Sequence, residues 1–303
     1  MFEQSCSSGH CGSVSWTYDV AGNLTRIGGS PGLGLTYTYD ALNRLKTMDT
    51  SFAQTVTYSY DDVGNLGGTQ VGSLFSTGYS YDPLNRLTSM QSACGASAPG
   101  CGTAGATLRS YGYTLGAAGN RLSVAELNGR TVNYGYDELY RLTSETVASD
   151  PGGRNGQVSY SYDSVGNRVQ LNSTLAAVPP TGLLNYDAND RTATDSYDSN
   201  GNLVFNGQQN VYDFENRVVQ RGGVQIVHDG DGNRVQEIVA GIVTRYLTGE
   251  VNPTGYVQVL AELSGANQIL RGYEWGLQLA AVRDFTVNSG GIFHHYVSGL
   301  RHR

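Results

Sequence analysis

The sequence has few charged residues and almost no lysine. Charged residues make up 15% of the 303, the net charge is −7, and Lys46 is the only lysine. This balance disfavours a general nucleic-acid binder, which needs a basic surface to displace counterions from the phosphate backbone. No apolar run approaches the roughly 18 residues of a membrane-spanning helix. The sequence therefore predicts neither a nucleic-acid partner nor a membrane span.

Motifs that mark common active sites are also missing. The sequence contains no phosphate-binding loop and no His-Glu-x-x-His pair. We therefore predict a protein that is not an enzyme, with no catalytic residues, no cofactor and no metal. The N-terminus, Met1 to Cys6, lacks the basic and apolar regions of a signal peptide. We expect an extracellular or cell-surface location, with the export signal elsewhere and this chain a fragment.

Cysteine is scarce, and its four copies fall in two close pairs. Cys6 and Cys11 form one pair, Cys94 and Cys101 the other, each in a Ser/Gly-rich stretch. Local disulfides in an oxidising compartment are the favoured interpretation. A zinc site that uses both pairs with His10, or unpaired thiols, are the alternatives, although the spacing is not of the Cys-x2-Cys type.

Glycine and tyrosine are abundant, with 41 and 21 copies. The glycines lack the three-residue period of collagen, and so many aromatic residues argue against disorder. This composition predicts a β-rich protein with many tight turns. Its core would be built from tyrosine rings whose hydroxyls must reach water or a partner.

A Tyr-Asp repeat runs through most of the chain. Tyr18-Asp19, Tyr39-Asp40, Tyr60-Asp61 and Tyr81-Asp82 recur every 21 residues. Looser copies follow at Tyr136-Asp137, Tyr162-Asp163, Tyr186-Asp187, Tyr197-Asp198 and Tyr212-Asp213, with decayed copies at Tyr113-Thr114 and His228-Asp229. The first units end alternately in Gly-Asn-Leu and Asn-Arg-Leu, so the higher period is two units.

Each unit has the pattern of one β-hairpin. In Tyr37-Thr38-Tyr39 the rings are two residues apart and share one face of a strand. The aspartate can accept backbone N–H bonds and start a turn. A glycine or asparagine follows three to four residues later, where the turn needs a positive φ. The recurring arginine could lie over a tyrosine ring or bond the aspartate.

The repeat resembles that of the RHS or YD-repeat family, which includes bacterial RHS and wall-associated proteins and the teneurin shell. The resemblance covers about residues 16–234 and rests on the units Tyr-Asp-x-x-Gly-Asn-Arg/Leu and Tyr-Asp-x-Leu-Asn-Arg-Leu. It implies an all-β stack of tandem hairpins in a curved sheet or partial β-shell, which in bacteria encloses a C-terminal toxin. The family's Asp-Pro-x-Gly-Leu core motif is missing, and Asp150-Pro151-Gly152-Gly153 is interpreted as a turn. We divide the chain into an N-terminal segment (1–15), a hairpin array (16–235) and a continuation towards the missing core module (236–303).

The resemblance implies an encapsulating shell segment of a secreted or surface polymorphic-toxin-like protein. Its partners would be the remainder of the shell, the enclosed cargo, or another copy paired through open strand edges. The alternative is a surface adhesion module in which tyrosine rings bind carbohydrate. The segment His228–Asn233 also carries oxygen donors at alternating positions, as in calcium loops. Such a loop needs glycine and glutamate where Arg234 and Ala240 stand, so a hairpin turn is favoured there.

Overall fold

The chain is β-structure throughout its described part. A computed structural model describes residues 2–7, 10–30, 33–50, 54–98, 100–286 and 292–295. These residues form 26 strands and no helix. Accordingly, the described residues include no helix that could span a membrane. The predicted all-β fold of tandem hairpins is confirmed.

Fifteen strands form the first sheet, two the second and nine the third. The first sheet contains β1 (Phe2–Ser7), β2 (His10–Tyr18), β3 (Leu24–Ser30), β4 (Leu33–Tyr39), β5 (Leu45–Thr50), β6 (Val56–Tyr60), β7 (Leu66–Val71), β8 (Phe75–Tyr81), β9 (Leu87–Cys94), β10 (Thr107–Leu115), β11 (Arg121–Glu126), β12 (Thr131–Tyr136), β13 (Leu142–Ala148), β14 (Gly156–Tyr162) and β15 (Arg168–Ser173). The second contains β16 (Ser196–Tyr197) and β17 (Leu203–Phe205). The third contains β18 (Asn210–Tyr212), β19 (Val218–Arg221), β20 (Val224–His228), β21 (Arg234–Val239), β22 (Ile242–Gly249), β23 (Gln258–Ser264), β24 (Ile269–Trp275), β25 (Leu279–Asp284) and β26 (Ile292–His295). In each sheet, strands that are neighbours along the chain are also hydrogen-bonded neighbours.

The chain divides into two compact units. The first comprises Met1–Ser59, Thr69–Ser73 and Tyr197–Arg303, and the second comprises Tyr60–Gly68 and Leu74–Ser196. β2 continues across the boundary drawn from the sequence at residue 15, and β21 continues across the one at residue 235. The division into 1–15, 16–235 and 236–303 stays a prediction.

The alternation of the tyrosine strands sets their two faces. Tyr37 is buried while Thr38 beside it is exposed, because successive side chains point to opposite faces of a strand. The pairing register shifts at the second tyrosine. Thr38 lies opposite Thr47 but Tyr39 lies opposite Leu45. One residue of the partner strand is therefore left unpaired and forms a β-bulge, which increases the local twist of the strands beside the turn.

The core of the first unit joins the start of the chain to its end. Ile27, Met48 and Leu260 are each at most 1% exposed. The Trp16 indole Nε1–H donates to the carbonyl of Val251 at 3.0 Å. The Tyr37 hydroxyl donates to the carbonyl of Trp275 at 2.9 Å. Donors on the first strands are therefore satisfied by main-chain acceptors more than 230 residues later.

The second unit has a leaner core. Val124, Val132 and Val147 lie opposite one another on successive strands and are at most 7% exposed. Opposite residues of an antiparallel pair share one face, so these valines form a buried row across β11, β12 and β13. Ser123 and Asn133, one residue along each strand, pair on the other face.

Candidate functional site: the Tyr-Asp turn edge

Nearly all of the repeated tyrosines end a strand, and the repeated aspartate then opens the turn that follows. Of the nine predicted Tyr-Asp pairs, this holds for eight: Tyr18-Asp19, Tyr39-Asp40, Tyr60-Asp61, Tyr81-Asp82, Tyr136-Asp137, Tyr162-Asp163, Tyr197-Asp198 and Tyr212-Asp213. In the ninth pair, Tyr186 lies in an isolated β-bridge with Thr192. Because the strands alternate in direction, these turns lie along one edge of their sheets.

One carboxylate oxygen of each aspartate caps its own turn. Asp19 Oδ1 accepts the backbone N–H groups of Ala21 at 2.9 Å and Asn23 at 2.8 Å. The third residue after the aspartate adopts the positive φ predicted from the sequence, 87° at Gly22 and 58° at Asn43. Two N–H bonds to Oδ1, each of 2.8–3.1 Å, recur at Asp40, Asp61, Asp82, Asp137, Asp163, Asp187, Asp198, Asp213 and Asp229.

The second oxygen is bound by the last residue of the turn, which is alternately asparagine or arginine. Asn23 Nδ2 donates to Asp19 Oδ2 at 2.9 Å, and Arg44 Nε donates to Asp40 Oδ2 at 2.8 Å. These bonds favour the ionised carboxylate. The side-chain hydrogen bond from Asn23 lowers the pKa of Asp19, and the backbone hydrogen bond from Arg44 lowers that of Asp40.

The same asparagine or arginine also reaches forward to the next turn on this edge. Asn23 Nδ2 donates to Asn43 Oδ1 at 2.9 Å. Equivalent bonds of 2.8–2.9 Å join Asn65 to Asn85, Asn167 to Asp190 and Asn202 to Asn216. Arginine instead binds the carbonyl of the residue that opens the next turn: Arg86 to Gly116, Arg141 to Asp163 and Arg217 to Asp229, at 3.0–3.2 Å. The two kinds of forward bond thus follow the alternation of asparagine and arginine, which is the two-unit period of the sequence.

The repeated tyrosine reaches backward. The Tyr39 hydroxyl donates to the carbonyl of Leu24, the first residue of β3, at 2.8 Å. Bonds of 2.6–3.0 Å of the same kind join Tyr81 to Leu66, Tyr136 to Arg121, Tyr162 to Leu142, Tyr186 to Arg168 and Tyr212 to Leu203. Most turns in this series are therefore bonded to a neighbouring turn by both a forward and a backward contact.

Arginine meets both partners considered in the sequence. The guanidinium of Arg141 binds Asp137 through Nε at 2.6 Å and lies over the ring of Tyr162, 4.9 Å from its centroid. The hydroxyl of Tyr162 also donates to the carbonyl of Leu142. Carbohydrate binding by the tyrosines stays a prediction, and at Tyr162 a sugar would compete with contacts inside the stack.

The turns offer no distinctive centre for catalysis or metal binding. The segment with a calcium-like spacing has the common turn geometry, because Asp229 Oδ1 accepts from the backbone N–H groups of Asp231 and Asn233. Within the described ranges, no group of three His, Cys, Asp or Glu side chains is placed to hold a metal ion.

The described cysteines are bonded to each other. Cys94 and Cys101 form a disulfide with a Cα–Cα distance of 5.9 Å, which leaves neither thiol for the zinc alternative. Cys6 lies opposite Cys11 in the pairing of β1 with β2. Their side chains, and so the predicted bond between them, lie outside the described residues.

Comparison with known proteins agrees with this architecture. No protein-family model matches the sequence. The fold is that of Tc toxin chains. A chain of the TcdB2–TccC3–Cdc42 crystal structure superposes with a TM-score of 0.68 and 16% identity, over 97% of this chain and 16% of that one. A chain of the Photorhabdus luminescens Tc holotoxin pore gives 0.63 and 16%, over 88% and 17%.

A curated relative is similar in sequence. It is the tRNA3(Ser)-specific nuclease WapA of Bacillus spizizenii, 26% identical over 53% of this chain and 7% of its own length. This chain thus spans a small part of WapA and of both Tc toxin chains. The aligned part of WapA is too short to bring the activity in its name to this chain.

The sequence predicted the position of every repeated aspartate, but it did not predict the hydrogen bonds between turns. The alternation of Asn and Arg at the end of the turn is the sequence signal of these bonds, but their partners lie in the next turn and do not follow from it. Two turns depart from the usual residue types at these positions. Gly116 stands where other turns have aspartate, and Tyr140, with φ 60°, stands where the next turn would have asparagine.

Proposed function

We propose that this chain is a non-enzymatic wall segment of a larger RHS-type β-shell that encloses a cargo in a secreted or surface protein. The observation that carries the proposal is the series of bonds between turns. Asn23, Arg86 and Arg141 each join their own turn to the next, while tyrosine hydroxyls join it to the preceding one. Such contacts stabilise a continuous wall of hairpins, each of which would be marginal alone.

The comparisons support the same function. The fold is shared with Tc toxin chains, of which this chain covers 16–18%. A wall segment is expected to be a fraction of its parent, with the rest of the shell and the cargo supplied by further sequence. The turn aspartates bind N–H donors in one repeated pattern, so no pair of them is distinguished as the acid and base of a glycoside hydrolase.

The test is protection of enclosed sequence from protease. The full reading frame that contains this chain would be expressed, and proteinase K digestion of the remaining sequence compared with digestion of that sequence expressed alone. We expect the intact protein to protect a segment that is otherwise degraded. Equal digestion rates, or a reading frame that supplies no further hairpins, would refute the proposal.

Two matched pairs of substitutions test whether protection from protease depends on the Tyr-Asp turns. Replacing both Asp61 and Asp137 by alanine removes two turn caps, and we expect protection to weaken. Replacing Asp62 and Glu138 by alanine removes two exposed acids of the same turns, and we expect protection to remain. If both pairs behave alike, the aspartate caps of the turns are not what keeps the wall closed.

A further inference from the structure

A pocket lies at the edge opposite the Tyr-Asp turns, within the second unit. Three successive segments on that edge enclose it: the β11–β12 turn at 126–130, the β13–β14 loop at 149–155, and residues 174–178 after β15. Its volume is about 620 Å³, which is in the range of small-molecule sites. None of these segments belongs to the Tyr-Asp repeat.

A buried aspartate organises the polar side of this pocket. The Asp150 side chain is 2% exposed. Its Oδ1 accepts the backbone N–H of Gly152 at 2.7 Å and Arg154 Nε at 3.3 Å, and its Oδ2 lies 3.2 Å from Arg130 Nε. Arg130 also binds Glu126 through Nη1. Both oxygens of Asp150 are therefore in use, and the carboxylate fixes the two guanidinium groups.

The side-chain hydrogen-bonding groups left over in the pocket are donors on Asn128, Asn155 and Arg154, with Oε2 of Glu126 as an acceptor. Asn128 and Asn155 each use the carboxamide oxygen, accepting from the backbone N–H of Arg130 at 3.0 Å and of Asp150 at 2.8 Å. Arg154 is 76% exposed at its side chain and uses only Nε. In the described part of the chain, the amide NH₂ groups of both asparagines and the Nη atoms of Arg154 have no partner. A ligand that satisfies them must be an acceptor, and the planar guanidinium fits a carboxylate.

Much of the remaining pocket lining is aliphatic. Val147 is 6% exposed at the end of the buried valine row, and residues 175–178 also line the pocket. Leu175 is held close to the sheet, since a Cβ built on Gly156 would lie 2.9 Å from its Cδ2. None of the described residues that line this pocket is aromatic, which disfavours a sugar.

From this division we propose that the pocket binds an aliphatic carboxylate. Its carboxyl group lies at Arg154, Asn128 and Asn155, and its hydrocarbon part lies against Val147 and Leu175. A free carboxylic acid and the C-terminus of a peptide with an apolar last residue present the same chemistry. The proposal does not depend on encapsulation and can fail or succeed without it.

The experiment is a titration of the full chain, followed by NMR or calorimetry, with four probes: hexanoate, hexanamide, and acetyl-Gly-Leu as free acid and as amide. We expect saturable binding of both acids and none of either amide. Acetyl-Gly-Leu binding tenfold tighter than hexanoate would identify a peptide C-terminus as the source, and equal affinities a free acid. No saturation by either acid, or equal binding of acids and amides, would overturn the proposal.

Two variants separate binding from loop structure. Arg154→Gln removes an exposed cation and should weaken binding of the acids about tenfold or more, the effect of losing a charge-assisted hydrogen bond. Arg109→Gln removes an exposed arginine of the same unit outside the pocket and should leave binding unchanged. Circular dichroism should show both variants folded as the wild type before titration, because Asp150 keeps its bonds to Gly152 and Arg130 in Arg154→Gln. Equal affinity of Arg154→Gln and wild type would contradict the assignment.

Discussion

The hydrogen bond from Tyr37 to Trp275 offers a direct measure of how firmly the two ends of the chain are joined in the first unit. Tyr37 is 3% exposed, and its hydroxyl donates to the carbonyl of Trp275 at 2.9 Å. Tyr37→Phe keeps the ring and removes the donor. The loss of the bond and the burial of an unpaired carbonyl should together lower the free energy of unfolding by about 1–3 kcal/mol.

Tryptophan fluorescence suits this measurement. The chain has two tryptophans, Trp16 and Trp275, and both belong to the first unit. With a urea m-value of about 3 kcal/mol/M, the expected loss moves the fluorescence midpoint down by roughly 0.3–1 M. Tyr18→Phe is the control, because Tyr18 is 44% exposed and its replacement should not move the midpoint. If Tyr37→Phe unfolds with the wild-type midpoint, the bond contributes no net stability and the reasoning fails.

Two further predictions concern the dependence of stability on pH, and a third concerns one strained turn. The Arg191 side-chain hydrogen bond lowers the pKa of Asp187 from 3.8 to about 2. Stability from such carboxylates is present above pH 3.8 and lost as the pH falls towards 2, which an acid titration followed by circular dichroism would show as unfolding in that window. Burial raises the pKa of Tyr246 to about 12. Its contribution to folding stability is therefore present below pH 10 and lost as the pH rises through 12. An alkaline titration that shows no unfolding in that range would contradict this prediction. Tyr140 is 61% exposed with φ 60°, and Tyr140→Asn should raise the free energy of unfolding by about 1 kcal/mol, whereas Tyr140→Ala should gain little.

Local features of the fold were predictable because they repeat. The aspartate cap, the positive φ three residues later and the alternation of tyrosine faces each depend on residues within one hairpin, as at Asp40, Asn43 and Tyr37. Short-range chemistry of this kind is written in the order of the residues. The arginine contacts were also within reach, since Arg141 meets both of the partners considered for it.

Contacts between distant segments could not be predicted in this way. Trp16 binds the carbonyl of Val251, and a main-chain acceptor carries no residue type by which sequence could reveal it. The pocket around Asp150 has a similar origin. It arises because the loops containing Arg130 and Arg154 are neighbours on one edge, and their spacing in the sequence follows no repeat.

The alternation of the turns has a physical explanation in the reach of their side chains. An asparagine at the end of a turn is short, so its forward partner must project towards it, and Asn43 does so from a residue with φ 58°. Arginine is longer and binds the main chain of the next turn directly, as Arg86 binds Gly116. A main-chain acceptor survives the loss of the aspartate at Gly116, whereas the side-chain acceptor is lost where Tyr140 replaces asparagine. The arginine links should therefore tolerate sequence decay in the following turn, and the asparagine links should require an Asn or Asp at its positive-φ residue. Asn43→Ala should thus destabilise the first unit more than Asn43→Gly, because both variants remove the acceptor and only alanine strains the backbone at this positive φ. Equal urea midpoints for the two variants would show that the backbone preference, and with it this account of the alternation, carries no weight.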